Sequence, residues 1–128
     1  MNNKEKHVLS TMSKTYIFDL DGTILEHGLY KDGNDRILPG VNEFFANVIK
    51  EDDYVVILTA RKQKYAKKTK DFLLKNNIKF DNIIFDVALG ERILFNDIKP
   101  LGLKTAVAIN LKRNAGLKHL DFVFDKDL

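Results

Sequence analysis

Residues 17–25 read Ile-Phe-Asp-Leu-Asp-Gly-Thr-Ile-Leu, and this segment is the most informative part of the sequence. The apolar run that begins it predicts a strand, which ends in two carboxylates, Asp19 and Asp21. Alternate residues of a strand point to the same face, so the two acids share a face if the strand continues that far. Gly22 allows the chain to turn tightly and to approach a ligand closely. Two converging acids are unfavourable without a positive charge nearby, so the pattern indicates a binding site.

The composition excludes several classes of protein. The chain has 128 residues, 45% hydrophobic and 30% charged, which is ordinary for one soluble globular domain. It contains no cysteine, which excludes disulfides, thiolate zinc sites and cysteine nucleophiles. No apolar run approaches the roughly 20 residues of a membrane span, and the polar N-terminus has no signal-peptide core, so we expect a cytoplasmic protein without a membrane partner. The net charge of +3 suits a phosphorylated small molecule as ligand.

Predicted strands and helices alternate along the chain. The strands are expected at residues 15–20, 54–59, 82–85, 93–96 and 105–110, and the helices from residue 40 and from about residue 62 to 76. This order predicts an α/β protein, a single Rossmann-like domain with a parallel five-stranded sheet flanked by helices. We expect the domain to span residues 14–128 and residues 1–13 to be a disordered tail. Residues 120–124 are either a short strand or an apolar plug.

The expected sheet brings polar residues together at one edge. Ligands of such sheets bind outside the carboxyl ends of the strands. Besides the two acids of the first strand, the predicted strand ends carry Thr59, Arg61, Asp86, Asn96, Asp97 and Lys99. Carboxylates, a hydroxyl and cations from four segments are therefore expected to meet there, which a purely structural sheet does not require.

Three segments resemble motifs of the haloacid dehalogenase superfamily, in the family's order. Residues 19–23, Asp-Leu-Asp-Gly-Thr, resemble its first motif, and residues 55–61, Val-Val-Ile-Leu-Thr-Ala-Arg, are similar to its second. Residues 92–97, Arg-Ile-Leu-Phe-Asn-Asp, are similar to the fourth, an apolar strand that ends in acid. The segment between the first two motifs is too short for a cap domain. The chain therefore resembles the small capless (C0-like) phosphatases of that superfamily.

The resemblance implies a role for each site residue. Asp19 would attack phosphorus and form an aspartyl phosphate, and Asp21 would protonate the leaving alcohol and then activate water. Thr59 would donate a hydrogen bond to a phosphoryl oxygen. The Asp19 carboxylate, the Asp21 backbone carbonyl and the Asp97 carboxylate would hold Mg²⁺. A hard cation suits such oxygen ligands, and without one each unit charge pair at 4 Å would repel the phosphate by ~4 kcal/mol at an effective dielectric of 20.

The lysine of the family's third motif is missing from the loop before the fourth predicted strand, residues 86–92. Lys99 lies two residues beyond Asp97, so we expect it to supply the cation, with Arg61 as the next choice. Arg92 is less suitable, because a strand at residues 93–96 would put it ~16 Å from the site.

Several functions stay open at this point. The first is a Mg²⁺-dependent phosphomonoesterase. The capless build and the Asn-Asp-x-Lys-Pro sequence of residues 96–100 resemble small family members that act on phosphosugars in surface-polysaccharide metabolism. A nucleotide phosphatase or polynucleotide 3′-phosphatase is the enzyme alternative, because an open site admits the end of a nucleic-acid strand. A signalling receiver domain is disfavoured, since its phosphorylated Asp follows the third strand. A non-catalytic phosphate-binding module on the same fold is favoured by the missing lysine alone. An uncapped site also permits a homo-oligomer in which another subunit closes it.

Overall fold

The computed structural model describes residues 4–128 and has an α/β fold with parallel strands in two small sheets. The larger sheet has the order β2 (Thr15–Asp19), β3 (Tyr54–Leu58), β4 (Asn82–Ile84), and all three strands are parallel. The smaller sheet pairs β1 (Glu5–Leu9) with β5 (Leu120–Phe124), also in parallel. None of the helices in residues 4–128 has the length and apolar character that crossing a membrane requires.

Two α-helices connect the strands of the larger sheet. Helix α1 (Val41–Asn47) lies between β2 and β3, helix α2 (Ala66–Lys75) lies between β3 and β4, and short 3-10 helices span Tyr30–Asp32 and Gln63–Tyr65. The apolar face predicted for the first helix is confirmed, because Val41 and Phe44 are buried. Each crossover therefore brings the chain back to the same end of the sheet, and the carboxyl ends of β2 and β3 lie side by side.

Aromatic packing joins the two sheets. Phe122 of β5 meets Phe44 of α1 edge to face with ring centroids 5.2 Å apart, and it stacks on Tyr16 of β2 at 6.4 Å. Phe44 also meets Phe18 of β2 edge to face at 6.1 Å. Offset and edge-to-face pairs of this kind stabilise a core beyond the area that they bury. The smaller sheet is thus held against β2 and α1 by side chains rather than by a continuous ladder of strands.

The predicted five-stranded sheet is wrong. Residues 93–96 and 105–110 belong to the segment between β4 and β5, and this segment contains neither helix nor strand. Ile93 and Phe95 are 75% and 89% exposed. A short apolar run cannot by itself determine a strand, because a strand also needs a neighbouring edge to pair with.

The N-terminal segment also differs from the expectation. Residues 5–9 of the expected tail form β1, because β5 supplies a partner edge and the His7 ring packs on Phe122 with centroids 5.4 Å apart. Residues 1–3 of the expected tail lie outside the described residues. The strand at Leu120–Phe124 confirms the first of the two alternatives for the C-terminal segment. That residues 14–128 form a catalytic domain stays a prediction.

Candidate active site

Asp19 is the last residue of β2, and its side chain is 41% exposed. Its Oδ2 accepts a hydrogen bond from the Thr23 hydroxyl at 3.2 Å, and its Oδ1 lies 3.3 Å from Nη1 of Arg92. The hydroxyl and the guanidinium orient the carboxylate without covering it. Asp19 is therefore an accessible carboxylate at the carboxyl end of a strand, the position that the sequence predicted for it.

The turn that follows Asp19 is fixed from both sides. The Leu20 carbonyl accepts from the backbone N–H groups of Thr23, Ile24 and Leu25 at 3.3, 2.9 and 3.0 Å. Gly22 has a φ of 89°, which an L residue rarely adopts, and its carbonyl accepts from the Asn114 N–H at 2.9 Å. The turn is thus tied to residues far along the chain.

The carboxylate of Asp21 is paired with Arg61, which lies just beyond β3. Nε of Arg61 donates to Oδ2 of Asp21 at 3.1 Å and Nη2 donates to Oδ1 at 2.7 Å. The Asp21 side chain is 18% exposed and that of Arg61 is 1% exposed. Such a two-pronged pair fixes the plane of a carboxylate as well as its position.

The same guanidinium also binds Asp35, whose side chain is 11% exposed. Nη1 and Nη2 of Arg61 donate to the two Asp35 oxygens at 3.1 and 2.8 Å, and Nη1 donates to the Thr69 hydroxyl at 2.9 Å. All five N–H donors of Arg61 are therefore used. Burial lowers the pKa of Arg61, but the hydrogen bonds and charges of Asp21 and Asp35 outweigh this and raise it, so the side chain is charged. Arg61 has no donor left for a substrate, which removes the second choice for the missing cation.

Thr59 follows β3 and is 1% exposed. Its hydroxyl accepts from the Arg61 N–H at 3.0 Å, and its own N–H donates to the Ile84 carbonyl at 2.9 Å. The hydroxyl thus stabilises the turn that leads into Arg61. Asp86 has a similar local task, because its carboxylate accepts from the N–H of Gln63, at the start of a 3-10 helix, at 3.0 Å.

Asp97 and Lys99 lie in the exposed segment between β4 and β5. The Asp97 carbonyl accepts from the Thr105 hydroxyl, and the Lys99 carbonyl accepts from the Gly102 N–H at 2.8 Å, so both residues sit in local turns. Within residues 4–128 neither side chain forms an ion pair. Arg92 instead contacts Asp19. The prediction that Arg92 lies ~16 Å from the site is wrong, because the strand expected at residues 93–96 does not form.

The Mg²⁺ site that the resemblance implies stays a prediction. Residues 4–128 contain no group of three or more aspartate, glutamate, histidine or cysteine side chains placed to hold one metal ion. Asp19 and the Asp21 backbone are adjacent along the chain, but Asp97 lies in the exposed segment. The implied ligand set has only two carboxylates, those of Asp19 and Asp97, so it does not require a group of three acidic side chains.

A groove of about 740 Å³ runs between the two sheets and reaches Asp19 and Thr23 at one end. Its walls include Ile17 of β2, Leu9 of β1 and Asn96 of the exposed segment. Asp19 is therefore approached from an open and largely apolar groove rather than from a closed cavity.

Local sequence patterns did not identify Asp35 as a site residue, because its partner Arg61 is distant in the chain. No pattern in the surrounding loop indicates that this acid is buried. Asn114 was missed too, although the sequence Asn-Ala-Gly at residues 114–116 is a recognisable turn signal.

A scan against protein-family models, a search of curated proteins and a search of solved structures each found no match to the chain. Its function must be inferred from its own residues.

Proposed function

We propose that this protein is a phosphomonoester hydrolase of the haloacid dehalogenase type that acts through an aspartyl phosphate. The single observation that carries the proposal is the exposed Asp19 carboxylate at the end of β2, followed along the chain by Asp21 and the Gly22 turn. An exposed carboxylate at the carboxyl edge of a parallel sheet is where a ligand of such a sheet is expected. Its two polar contacts hold it in place and leave it open to a substrate.

In the first step an Asp19 oxygen attacks phosphorus, the ester P–O bond breaks, and the leaving alkoxide takes a proton from Asp21. In the second step Asp21 takes a proton from water, whose oxygen attacks phosphorus and releases inorganic phosphate and the free Asp19 carboxylate. Protonated Asp21 is neutral, so its two hydrogen bonds from Arg61 are weaker while it carries the proton. General acid and base steps of this kind contribute ~10²–10⁴-fold to a rate.

A cation near Asp19 is needed because the attacking carboxylate and the phosphate carry like charges. Arg92 supports this part of the proposal, since its guanidinium already contacts the nucleophile at 3.3 Å. Its guanidinium is well suited to a phosphoryl oxygen, because its fork matches phosphate geometry. Lys99 stays a candidate for the same role.

The preferred substrate class is a phosphorylated small molecule such as a phosphosugar, which the sequence of residues 96–100 favours. The open groove beside Asp19 supports a substrate with a leaving group of some size. A non-catalytic phosphate-binding module is the second candidate, favoured by the missing lysine in residues 86–92.

The test is hydrolysis of an aryl phosphate, sugar phosphates, nucleotides and 3′-phosphorylated oligonucleotides by the wild-type protein and by Asp19→Asn. We expect wild-type turnover and a loss of at least about 10³-fold in the variant, because an amide cannot attack phosphorus. Circular dichroism confirms that both proteins fold. No hydrolysis of any ester by the wild type, with tight phosphate binding, would favour the binding module.

Dependence on Mg²⁺ is measured separately, with added Mg²⁺ and with excess EDTA. The resemblance implies that the protein is active with added Mg²⁺ and inactive with excess EDTA. Equal rates under both conditions would exclude the metal requirement and leave the Asp19 proposal standing.

A further inference from the structure

The loop between Ile24 and Leu38 is connected to the candidate general acid through one buried guanidinium. Asp35 belongs to this loop, and Arg61 holds it with two hydrogen bonds while it holds Asp21 with two others. Tyr30 of the same loop lies 4.3 Å from the Arg61 guanidinium, measured to the ring centroid. Arg61 therefore binds the loop through Asp35, the turn at residues 20–25 through Asp21 and the first turn of α2 through Thr69. We call Arg61, Asp21 and Asp35 the polar centre.

The charges of this centre are unbalanced in a way that a purely structural ion pair is not. One cation faces two carboxylates, and the three side chains are 1%, 18% and 11% exposed for Arg61, Asp21 and Asp35. Breaking such a pair leaves a buried charge without a partner, which costs ~3–5 kcal/mol. A packed apolar pair would stabilise the loop at lower cost, so the arrangement is better explained by control of the Asp21 carboxylate.

We infer that Arg61 and Asp35 are positioning residues, which orient Asp21 toward the leaving group of the substrate and couple that orientation to the loop. The inference rests on the proposed phosphatase function. Arg61 does not touch the substrate, because its five donors are used within the protein. Asp35 fixes the second edge of the guanidinium, so that the first edge presents a defined fork to Asp21.

This role makes a prediction that a structural role does not. An alkyl phosphate has a poor leaving group and needs the proton from Asp21, whereas an activated aryl phosphate leaves without it. Loss of orientation at Asp21 should therefore slow the alkyl ester much more than the aryl ester. A general loss of packing or stability would slow both esters alike.

The experiment compares kcat and KM for the two esters in wild type, Asp35→Asn and Arg61→Lys. Asp35→Asn removes a charge and one acceptor while it retains the shape, and Arg61→Lys retains the charge but loses the fork. We expect kcat for the alkyl ester to fall about tenfold or more and for the aryl ester by less than about threefold, with KM little changed. Asp21→Asn serves as the reference, because it removes the candidate general acid itself and shows how the two rates change when the acid is lost.

Arg36→Gln is the matched control. Arg36 is next to Asp35 in the same loop, is 68% exposed and pairs with Glu26 rather than with Arg61. It should leave the ratio of the two rates unchanged. If Asp35→Asn does not fold by circular dichroism, Arg61→Lys carries the comparison, because it keeps the buried cation.

Two failures are distinguishable. An active wild type whose positioning variants lose both esters equally would overturn the positioning role and leave the proposed function intact. A wild type that hydrolyses neither ester would overturn the proposed function and the positioning role with it.

Discussion

In residues 15–84 the apolar side chains form a core around three paired strands, whereas none of residues 87–111 is buried. Both regions contain apolar runs that predicted strands, so composition alone does not separate them. The first region positions Asp19, Asp21 and Arg61 by packing and buried hydrogen bonds. The second carries Asp97 and Lys99 in exposed turns. It contacts the first through the Arg92–Asp19 ion pair, the Val87 N–H on the Thr59 carbonyl and the packing of Leu111 on the core. The carboxylates of Asp19 and Asp21 are thus positioned by the core, whereas Arg92, the cation that contacts Asp19, lies in an exposed segment.

The sharpest test of this contrast is the stability of Ile57→Ala beside that of Phe95→Ala. Ile57 of β3 is fully buried, so its truncation should lower the free energy of unfolding by ~2–5 kcal/mol. Phe95 is 89% exposed, and its truncation should change that free energy by less than about 0.5 kcal/mol. Urea denaturation followed by circular dichroism measures both. A large loss for Phe95→Ala would mean that the segment is packed in solution, and the contrast between the regions would be withdrawn.

The second prediction concerns the cations of the exposed segment and depends on the proposed activity. Arg92→Ala should lower kcat/KM for an aryl phosphate at least tenfold, which is ~1.4 kcal/mol of transition-state stabilisation, because Arg92 contacts the nucleophile. Lys99→Ala should lower it by less than about threefold, since its side chain forms no ion pair within residues 4–128. Steady-state assays at fixed Mg²⁺ measure both variants. The opposite order would restore Lys99 as the substitute for the missing lysine.

The smallest effect is expected at Tyr16, at the border of the core and the groove. Its buried hydroxyl has no hydrogen-bond partner within residues 4–128. Tyr16→Phe should therefore keep the neutral-pH stability or raise it by up to about 1 kcal/mol.

The pH dependence of that variant provides a second check. Burial, with a contribution from the charge of Asp53, raises the pKa of Tyr16 to about 12 from 10.0. The folded state thus favours the neutral phenol. Its contribution to the free energy of unfolding is therefore complete below pH 10 and is lost as the pH rises toward 12. Tyr16→Phe should lose less stability than wild type over that interval in urea denaturation. Identical alkaline loss in both proteins would show that another group titrates.

Sequence reasoning succeeded where local pattern determines structure. The continuous apolar runs gave strands at Thr15–Asp19 and Tyr54–Leu58 within one residue of the predicted ends, because each run pairs with a parallel neighbour along its whole length. It failed at residues 93–96, where an equally apolar run stays unpaired although β2 has only one neighbouring strand in its sheet. It also failed at residues 5–9, whose strand depends on a partner at the other end of the chain.

The site divides in the same way. The positions of Asp19 and Thr59 followed from strand ends, which a sequence reveals. Asp35 and the true place of Arg92 did not, because both depend on contacts between residues far apart in the chain. Such contacts depend on the whole fold, and no periodic pattern in the sequence indicates them.

The central claim is that Asp19 is the nucleophile, and the most direct test is to identify the residue that carries the phosphoryl group. Wild-type protein is mixed with an aryl phosphate, quenched in acid, reduced with borohydride to convert an acyl phosphate to an alcohol, and digested for peptide mass spectrometry. The account predicts modification at Asp19 in wild type and none in Asp19→Asn. Modification at another residue, or an undiminished phosphoenzyme in Asp19→Asn, would contradict it.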